Sequence, residues 1–282
     1  TVGTPKKFWS VWKEQDDEWL QTRLKALVPD RIPTEQDRNI VSLFSRERVF
    51  ELIRYFILFD ANVKKVCRYQ QFFAVREIMK TIAESDEHGN RRSGVIWHTQ
   101  GSGKSLTMVM LAKYILMELK GCHPRVVIVT DRKELDAQIA ATFAHTRLTP
   151  ARATSGRHLV ELVNSARADV ITSIINKFNT VERQEIKNPS RDIFVLVDES
   201  HRSNYGLMAT RMRSVFPNAC YIGFTGTPLM KSEKNTMARF GSLIHKYTIR
   251  DGVEDGAIVP LIYEGRFVEQ KVDEENIDLW FK

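Results

Sequence analysis

The sequence predicts an α/β fold in which a parallel β-sheet is covered by helices on both faces and preceded by a helical segment. After residue 94, short apolar runs alternate with helical patterns. Strands that are apolar on both faces are typical of parallel sheets, because helices cover both sides of such sheets. The chain has 282 residues, which is enough to bury a sizeable core without disulfide bonds.

The N-terminal part is predicted to be helical. Apolar residues recur at helical spacing over residues 5–30, 47–57 and 69–83. Pro29 and Pro33 end the first pattern, since proline cannot continue a helix. The polar residues 84–92 are rich in turn formers, and we expect them to form a loop before the sheet begins.

Five apolar runs are predicted to be strands, at residues 94–98, 126–129, 170–171, 193–197 and 219–224. Helical patterns over residues 106–119 and 133–143 separate the earlier runs. Parallel strands need crossover connections of this kind, so the pattern indicates an α/β unit.

Charge and composition limit the class of protein. Lys and Arg number 42 against 35 Asp and Glu, and residues 94–250 alone contain 22 basic and 12 acidic side chains. A basic segment favours a polyanionic partner, although a generally basic surface explains it almost as well. No apolar stretch reaches the length of a membrane span. The 3 cysteines are far apart, which argues against a disulfide scaffold or a zinc site and is typical of the cytoplasm.

The strongest motif is the glycine-rich stretch at residues 98–105, which follows a predicted strand and opens a predicted helix. This is the context of a phosphate-binding loop. Gly101 and Gly103, on either side of Ser102, let backbone N–H groups turn toward an anion, and the helix adds its positive end. The stretch departs from the general pattern at His98, which replaces the first glycine.

Two side chains of this loop are predicted to act on the phosphates. Lys104 can reach the β- and γ-phosphates of ATP, and Ser105 can offer its hydroxyl to Mg²⁺. A glycine-rich turn with a surface lysine is the alternative interpretation.

The second motif is a pair of acids, Asp198 and Glu199, directly after a predicted buried strand. Ligands bind at the carboxyl ends of strands in such sheets. We therefore expect Asp198 to hold Mg²⁺ and Glu199 to orient and deprotonate the attacking water. Adjacent acids after a strand are often only a solvated cap, and the pairing with Lys104 is what favours the catalytic interpretation.

The third motif is the TGTP turn at residues 225–228. The order of the three motifs resembles motifs I, II and III of superfamily 2 helicases and translocases. The finer similarity is to the R (restriction and motor) subunit of type I restriction enzymes. The segments that carry it are residues 68–75, 97–105, 131–139, 198–203, 223–229 and 255–260. One departure is Ser200, where alanine is commoner in that family.

The resemblance implies a RecA-like P-loop domain that uses ATP and Mg²⁺ to translocate double-stranded DNA before cleavage. It implies methylation and specificity subunits as partners, and no membrane. Gln71 would read the adenine edge, with a helix-surface amide as the alternative. The residues expected to couple the nucleotide site to motion are His201, Thr225, Gly226 and Thr227. Those expected to contact the DNA backbone are Thr130, Arg132, Thr172, Ser173 and Lys177.

The resemblance also suggests how the chain is divided. Residues 1–67 would be a helical segment leading from a missing nuclease domain, and residues 68–245 the first motor lobe. Residues 246–282 would connect to a missing second lobe, which supplies arginine fingers. The chain has no initiator Met, and we expect it to be a fragment or to have been processed. The acids between residues 14 and 18 lack the context of a nuclease site, and we expect them to be a solvated face.

Two other functions remain open at this point. A strand-separating superfamily 2 helicase acting on DNA or RNA would carry the same motifs. A nucleotide-binding module without turnover would also do so, because a lobe without arginine fingers is expected to hydrolyse ATP weakly.

Overall fold

The structure is a computed structural model that describes residues 4–5, 9–60, 63–119, 121–131, 133–144, 148, 150–165, 168–178, 187–198, 205–226 and 240–259. The N-terminal segment consists of helices α1 (Asp17–Leu27), α2 (Glu35–Phe44) and α3 (Arg46–Tyr55) and a hairpin of β1 (Ile57–Asp60) and β2 (Val63–Val66). Helix α4 (Tyr69–Ala83) then leads to the main sheet.

The strands of the main sheet are β3 (Gly94–His98), β4 (Arg125–Thr130), β5 (Pro150–Arg152), β6 (Val170–Ile174), β7 (Ile193–Val197), β8 (Cys220–Thr225) and β9 (Ser242–Tyr247). The helices that accompany them are α5 (Lys104–Glu118), α6 (Lys133–Ala144), α7 (Gly156–Asn164), α8 (Tyr205–Val215) and α9 (Ile249–Glu254). The strand order is β5-β6-β4-β7-β8-β3-β9, and the pairs are parallel.

Both faces of this sheet are buried. On one face, Ile128 and Leu196 belong to a core that α4, α5 and α6 help to form. On the other face, Val127 and Val195 pack with residues of α7 and α8. Successive strand residues alternate between the two cores, which is why β7 is apolar at every position. The predicted α/β fold, with helices on both faces of a parallel sheet, is confirmed.

Several predicted elements agree with the structure, and others do not. Helix α4 has the expected bounds, whereas the helix expected from residue 5 begins only at Asp17. The sequence pattern did not predict the β1–β2 hairpin, strands β5 and β9, or helices α2, α7, α8 and α9. The three cysteines are free thiols, as expected. Among the described residues, no helix combines the length and apolar character that a membrane span requires.

The division of the chain at residue 245 stays a prediction, but the sheet continues past it. Strand β9 pairs with β3 as far as Tyr247, and α9 follows directly. The last part of the sheet therefore lies in the segment that was expected to be a connector.

The acids near residue 14 are not all on a solvated face, and that expectation is wrong for Glu14. Its carboxylate lies 3.1 Å from the guanidinium of Arg48, and both side chains are less than 5% exposed. The guanidinium also lies over the ring of Phe72, 4.4 Å from the centroid. Through this buried pair, the segment that precedes α1 is held against helices α3 and α4.

Removing Arg48 is expected to destabilise the protein strongly. In Arg48→Met the carboxylate of Glu14 stays buried without its cationic partner, and breaking a buried ion pair costs about 3–5 kcal/mol of unfolding free energy. The matched control is Arg23→Met, because Arg23 pairs with Glu47 at the surface, where a pair contributes about 0–1 kcal/mol. Urea denaturation measures both changes. Equal losses in the two variants would contradict the buried role of Arg48.

Candidate functional site

The strand order brings the three sequence motifs to one edge of the sheet. Strand β8 pairs with β7 on one side and with β3 on the other, and both pairs are parallel. The carboxyl ends of the three strands therefore meet at the same edge. Asp198 follows β7, Thr225 ends β8, and the glycine-rich loop follows β3. One strand lies between Asp198 and the loop, so the two are about 10 Å apart across the edge.

The glycine-rich loop has the backbone shape that an anion-binding loop needs. Gly101 and Gly103 have φ angles of +80° and +88°, a region that favours glycine. Helix α5 begins directly after Gly103, so its unpaired N–H groups and positive end lie at the loop. The residues around Ser102 can therefore present backbone donors to a phosphate.

The ammonium of Lys104 is buried and lies at the mouth of this loop. Its Nζ donates to the carbonyl oxygens of His98 and Thr99, at 3.2 and 3.5 Å. Gly226 lies so close that a Cβ there would be 3.1 Å from this Nζ. The turn after β8 thus packs directly against the loop, and glycine at position 226 makes room for the lysine.

Gln71 links α4 to the same loop. Its Nε2 donates to the carbonyl oxygen of Gly103 at 3.0 Å, and its Oε1 accepts from the backbone N–H of Arg68 at 2.8 Å. The side chain is buried, so the alternative of a helix-surface amide does not describe it. In this geometry Gln71 holds the loop, and its contact with adenine stays a prediction.

Asp198 and Thr225 are buried at the edge of the sheet. The backbone N–H of Asp198 donates to the carbonyl oxygen of Val129 at 2.9 Å, which continues the β4–β7 ladder by one residue. This bond fixes where the carboxylate leaves the sheet. The predicted roles of Glu199, His201 and Thr227 fall on residues outside those that the structure describes, as does Ser200.

His98 belongs to an arrangement that the sequence analysis missed. Its side chain is fully buried, and its Nε2 lies 2.9 Å from Nδ1 of His245 on β9. The other ring nitrogen of His245 lies 3.0 Å from Oε1 of Gln15 in the N-terminal segment. Burial lowers the pKa of His98 well below 6.5, with His245 and Lys104 acting in the same direction. Burial also lowers the pKa of His245 to about 4.

Three of the residues expected to contact DNA are not presented on the surface. Thr130, Thr172 and Ser173 are fully buried in the sheet, and Lys177 donates to the carbonyl oxygen of Ala153. Arg132 lies outside the described residues. Burial argues against direct phosphate contacts by the three hydroxyls in this conformation, because such contacts need an accessible donor.

The described residues fit a bound triphosphate with Mg²⁺. The hydroxyl of Ser102 is buried without a hydrogen-bond partner, which a phosphate oxygen would supply. A Cβ at Gly101 would meet nothing within 4 Å, so open space adjoins the loop. Within the described ranges no group of three or more His, Cys, Asp or Glu side chains is placed to hold a metal. Mg²⁺ needs no such group, since it is commonly held by one or two carboxylates and substrate phosphates.

The sequence of this chain is similar to one ATPase family and to subunits of type I restriction enzymes. Residues 70–282 match the family described as SWI2/SNF2 ATPase. The chain is 35% identical over 279 residues to the type I restriction enzyme HindI endonuclease subunit of Haemophilus influenzae, covering 90% of this chain and 26% of that protein. It is 30% identical over 240 residues to the type I restriction enzyme SsaAORF53P endonuclease subunit of Staphylococcus saprophyticus, covering 80% of this chain and 25% of that one.

The chain therefore spans about a quarter of the length of the curated relatives it matches. Among solved structures, the UvsW helicase from bacteriophage T4 is similar, with a TM-score of 0.51 and 18% identity. The similarity covers 80% of this chain and 78% of that one. At this identity the likeness concerns the fold alone.

Gly103→Ala is expected to weaken nucleotide binding. The added Cβ would lie 2.7 Å from Nε2 of Gln71 at a φ of +88°. The control is Gly121→Ala, where φ is +83° and nothing lies within 4 Å. Both variants lose about 1–2 kcal/mol of stability from the left-handed backbone, but only Gly103→Ala displaces Gln71. Calorimetric titration with Mg·ATP measures the affinities, and equal affinities would show that this contact does not shape the loop.

Acid is expected to destabilise the protein between about pH 6.5 and about pH 4. In this interval the unfolded chain protonates His245 and the folded chain does not, because burial outweighs the nearby carboxylates of Glu77 and Asp251. The stabilisation is complete above the unfolded pKa and is lost as the pH falls toward 4. Urea denaturation at about pH 7 and about pH 4.5 should show a smaller loss in His245→Asn than in the unaltered protein. Equal losses would contradict this assignment.

Proposed function

The chain belongs to the SWI2/SNF2 ATPase family, and from this premise we propose that it is the ATP-hydrolysing motor part of a type I restriction enzyme endonuclease subunit. In this proposal the complete protein translocates double-stranded DNA before cleaving it. The observation that carries the proposal is the meeting of the glycine-rich loop, Asp198 and the turn at Gly226 at the ends of three neighbouring parallel strands. The similarity to two endonuclease subunits over at least 80% of this chain supports it.

The loop and the start of α5 would bind the triphosphate. The backbone N–H groups near Ser102 and the positive end of α5 favour an anion, and the hydroxyl of Ser102 gains the partner that it lacks. The ammonium of Lys104 is already held at the mouth of the loop. It would move its hydrogen bonds from carbonyl oxygens to the terminal phosphate, where it neutralises charge that builds up during transfer.

Ser105 and Asp198 would hold Mg²⁺. Hydroxyl and carboxylate oxygens are the ligands that this ion prefers. When bound, Mg²⁺ neutralises charge on the phosphates and helps to align them. The bond from the N–H of Asp198 to Val129 keeps its carboxylate at the edge of the sheet.

Glu199 is proposed to orient the attacking water and to take its proton, as the residue next to Asp198 in the sequence. The reaction is then phosphoryl transfer to water, in which positioning and charge neutralisation contribute most. The coupling residues would be His201, Thr225, Gly226 and Thr227. Gly226 touches the loop through Lys104, which gives the turn a direct contact with the nucleotide site.

Double-stranded DNA is proposed as the track, and methylation and specificity subunits as the protein partners. The excess of basic residues over 94–250 suits sequence-independent binding to phosphates. The predicted contact residues Thr172 and Ser173 are buried. We therefore propose that basic side chains elsewhere contact the DNA backbone, or that a conformational change exposes these two hydroxyl groups. Residues 68–245 are proposed as the first motor lobe, and full turnover would need arginine fingers from a second lobe.

Lys104→Ala in the full-length protein is expected to lower DNA-stimulated ATP hydrolysis by roughly 100-fold or more, because the charge on the terminal phosphate loses its neutralising partner. The control is Lys113→Ala, which removes a half-buried lysine from the same helix away from the loop. Phosphate release with and without duplex DNA measures both. Wild-type hydrolysis by Lys104→Ala would refute the proposed site.

A strand-displacement assay separates the proposal from a strand-separating helicase. A protein that translocates along duplex DNA displaces the third strand of a triplex and leaves a plain duplex intact. We expect this result with the full-length protein and ATP. Separation of the plain duplex would favour the helicase. A protein that binds ATP but displaces a strand from neither substrate would be a nucleotide-binding module.

A further inference from the structure

We propose that His245 is a positioning residue for the phosphate-binding loop and acts through His98. The inference rests on the proposed function, because its consequence is measured at the nucleotide site. His245 stands on β9, the edge strand beside β3, and it contacts the residue that begins the loop. His245 would not touch the nucleotide itself.

A bulge in β9 brings His245 to the right face of the sheet. Val95 on β3 pairs with Leu243, but the next residue, Ile96, pairs with His245, so Ile244 is extra. Strict alternation from Leu243 would place His245 on the opposite face of the sheet from Ile96. The bulge turns it to the face that His98 shares, and bulges commonly re-aim side chains in this way.

Gly94 makes room for the bulge. A Cβ at this position would lie 2.5 Å from the side chain of Ile244 and 2.8 Å from the carbonyl oxygen of Ser242. No side chain fits in that space without moving β9. The glycine that begins β3 and the histidine on β9 are therefore parts of one local arrangement.

The hydrogen bonds fix which nitrogens carry protons. Oε1 of Gln15 can only accept, so Nε2 of His245 donates to it. Nδ1 of the same neutral ring then accepts, and Nε2 of His98 donates to it. Both rings are neutral because burial lowers the pKa of each. Hydrogen bonds are therefore donated in series, from His98 at the loop to His245 on the edge strand, and from His245 to Gln15 in the N-terminal segment.

This series of hydrogen bonds holds His98 in place, and His98 in turn contacts Lys104. The carbonyl oxygen of His98 accepts from Nζ of Lys104 at 3.2 Å. The backbone N–H of Thr99 donates to the carbonyl oxygen of Tyr247 at 2.9 Å, so β9 holds the first two residues of the loop. Loss of the bond between the histidines would leave the ring of His98 buried with neither nitrogen paired, since its Nδ1 already lacks a partner.

The N-terminal segment supports β9 at a second point. Nζ of Lys13 lies 2.5 Å from a carboxylate oxygen of Asp255. The hydroxyl groups of Tyr69 and Tyr247 donate to the other oxygen of that carboxylate, at 2.7 and 2.9 Å. Residues before α1 thus contact β9 directly through Gln15, and indirectly through Lys13, whose partner Asp255 also accepts from Tyr247 at the end of β9.

Three substitutions of His245 in the full-length protein separate its bonds. His245→Asn keeps an oxygen near the position of Nδ1 and can still accept from His98. His245→Gln keeps a donor near the position of Nε2 and can still reach Gln15. His245→Phe keeps the ring shape and makes neither bond. Calorimetric affinity for a non-hydrolysable ATP analogue with Mg²⁺, and KM and kcat for DNA-stimulated ATP hydrolysis, are measured for each.

We expect the Phe and Gln variants to raise KM and the dissociation constant about tenfold, because a buried donor of the loop loses its partner. The Asn variant should stay within about threefold of the unaltered protein, and kcat at saturating ATP should change less than KM. Val163→Ala shortens a side chain of α7 in the opposite core. This variant controls for lost stability and should leave KM unchanged.

Equal affinities in the Asn and Phe variants would overturn the inference. If both resembled the unaltered protein, the bond to His98 would not affect the loop, and if both were equally impaired, only packing would matter. The inference would also be overturned if Val163→Ala raised KM as much as His245→Phe does at a similar loss of stability, because lost stability alone would then explain the effect. The proposed function has a separate test: it is refuted if Lys104→Ala hydrolyses ATP at the normal rate. If Lys104→Ala is inactive while His245→Phe has a normal KM, only the role of His245 is refuted.

Discussion

The parallel pairing of β8 with both β7 and β3 is the constraint on which the candidate site depends. It places an acidic residue, a glycine turn and an anion-binding loop at one edge of the sheet, although they are far apart in sequence. Parallel pairing requires helical crossovers, and these cover both faces and exclude water from the strands. The same pairing that makes the core therefore assembles the site.

The loop is held from two sides, by a helix at its end and by the edge strand at its beginning. Helix α4 holds its end through Gln71 and Gly103, and β9 holds its beginning through His98 and Thr99. Helix α4 in turn packs against the N-terminal segment around the buried pair of Glu14 and Arg48. The segment before the sheet is thus part of the packing that supports the nucleotide site.

Local signals in the sequence were sufficient for the α/β fold, for α4 and for the loop, because each depends on residues that are close together in the chain. The partners of His98 and Glu14 could not be found in this way, since β9 and α3 lie 147 and 34 residues away in sequence. The bulge at Ile244 has no sequence signal of its own beyond an ordinary alternating strand. Burial of Thr172 and Ser173 was missed because hydroxyl residues in a central strand look the same whether they face a core or a ligand.

The proposed nucleotide site is tested most directly by an experimental structure of the full-length protein with Mg²⁺ and a non-hydrolysable ATP analogue. We expect Nζ of Lys104 to leave the carbonyl oxygens of His98 and Thr99 and to lie about 3 Å from a phosphate oxygen. We also expect Asp198 to face the metal ion. An analogue bound elsewhere, or a lysine that keeps its carbonyl partners beside an ordered triphosphate, would contradict the proposed site.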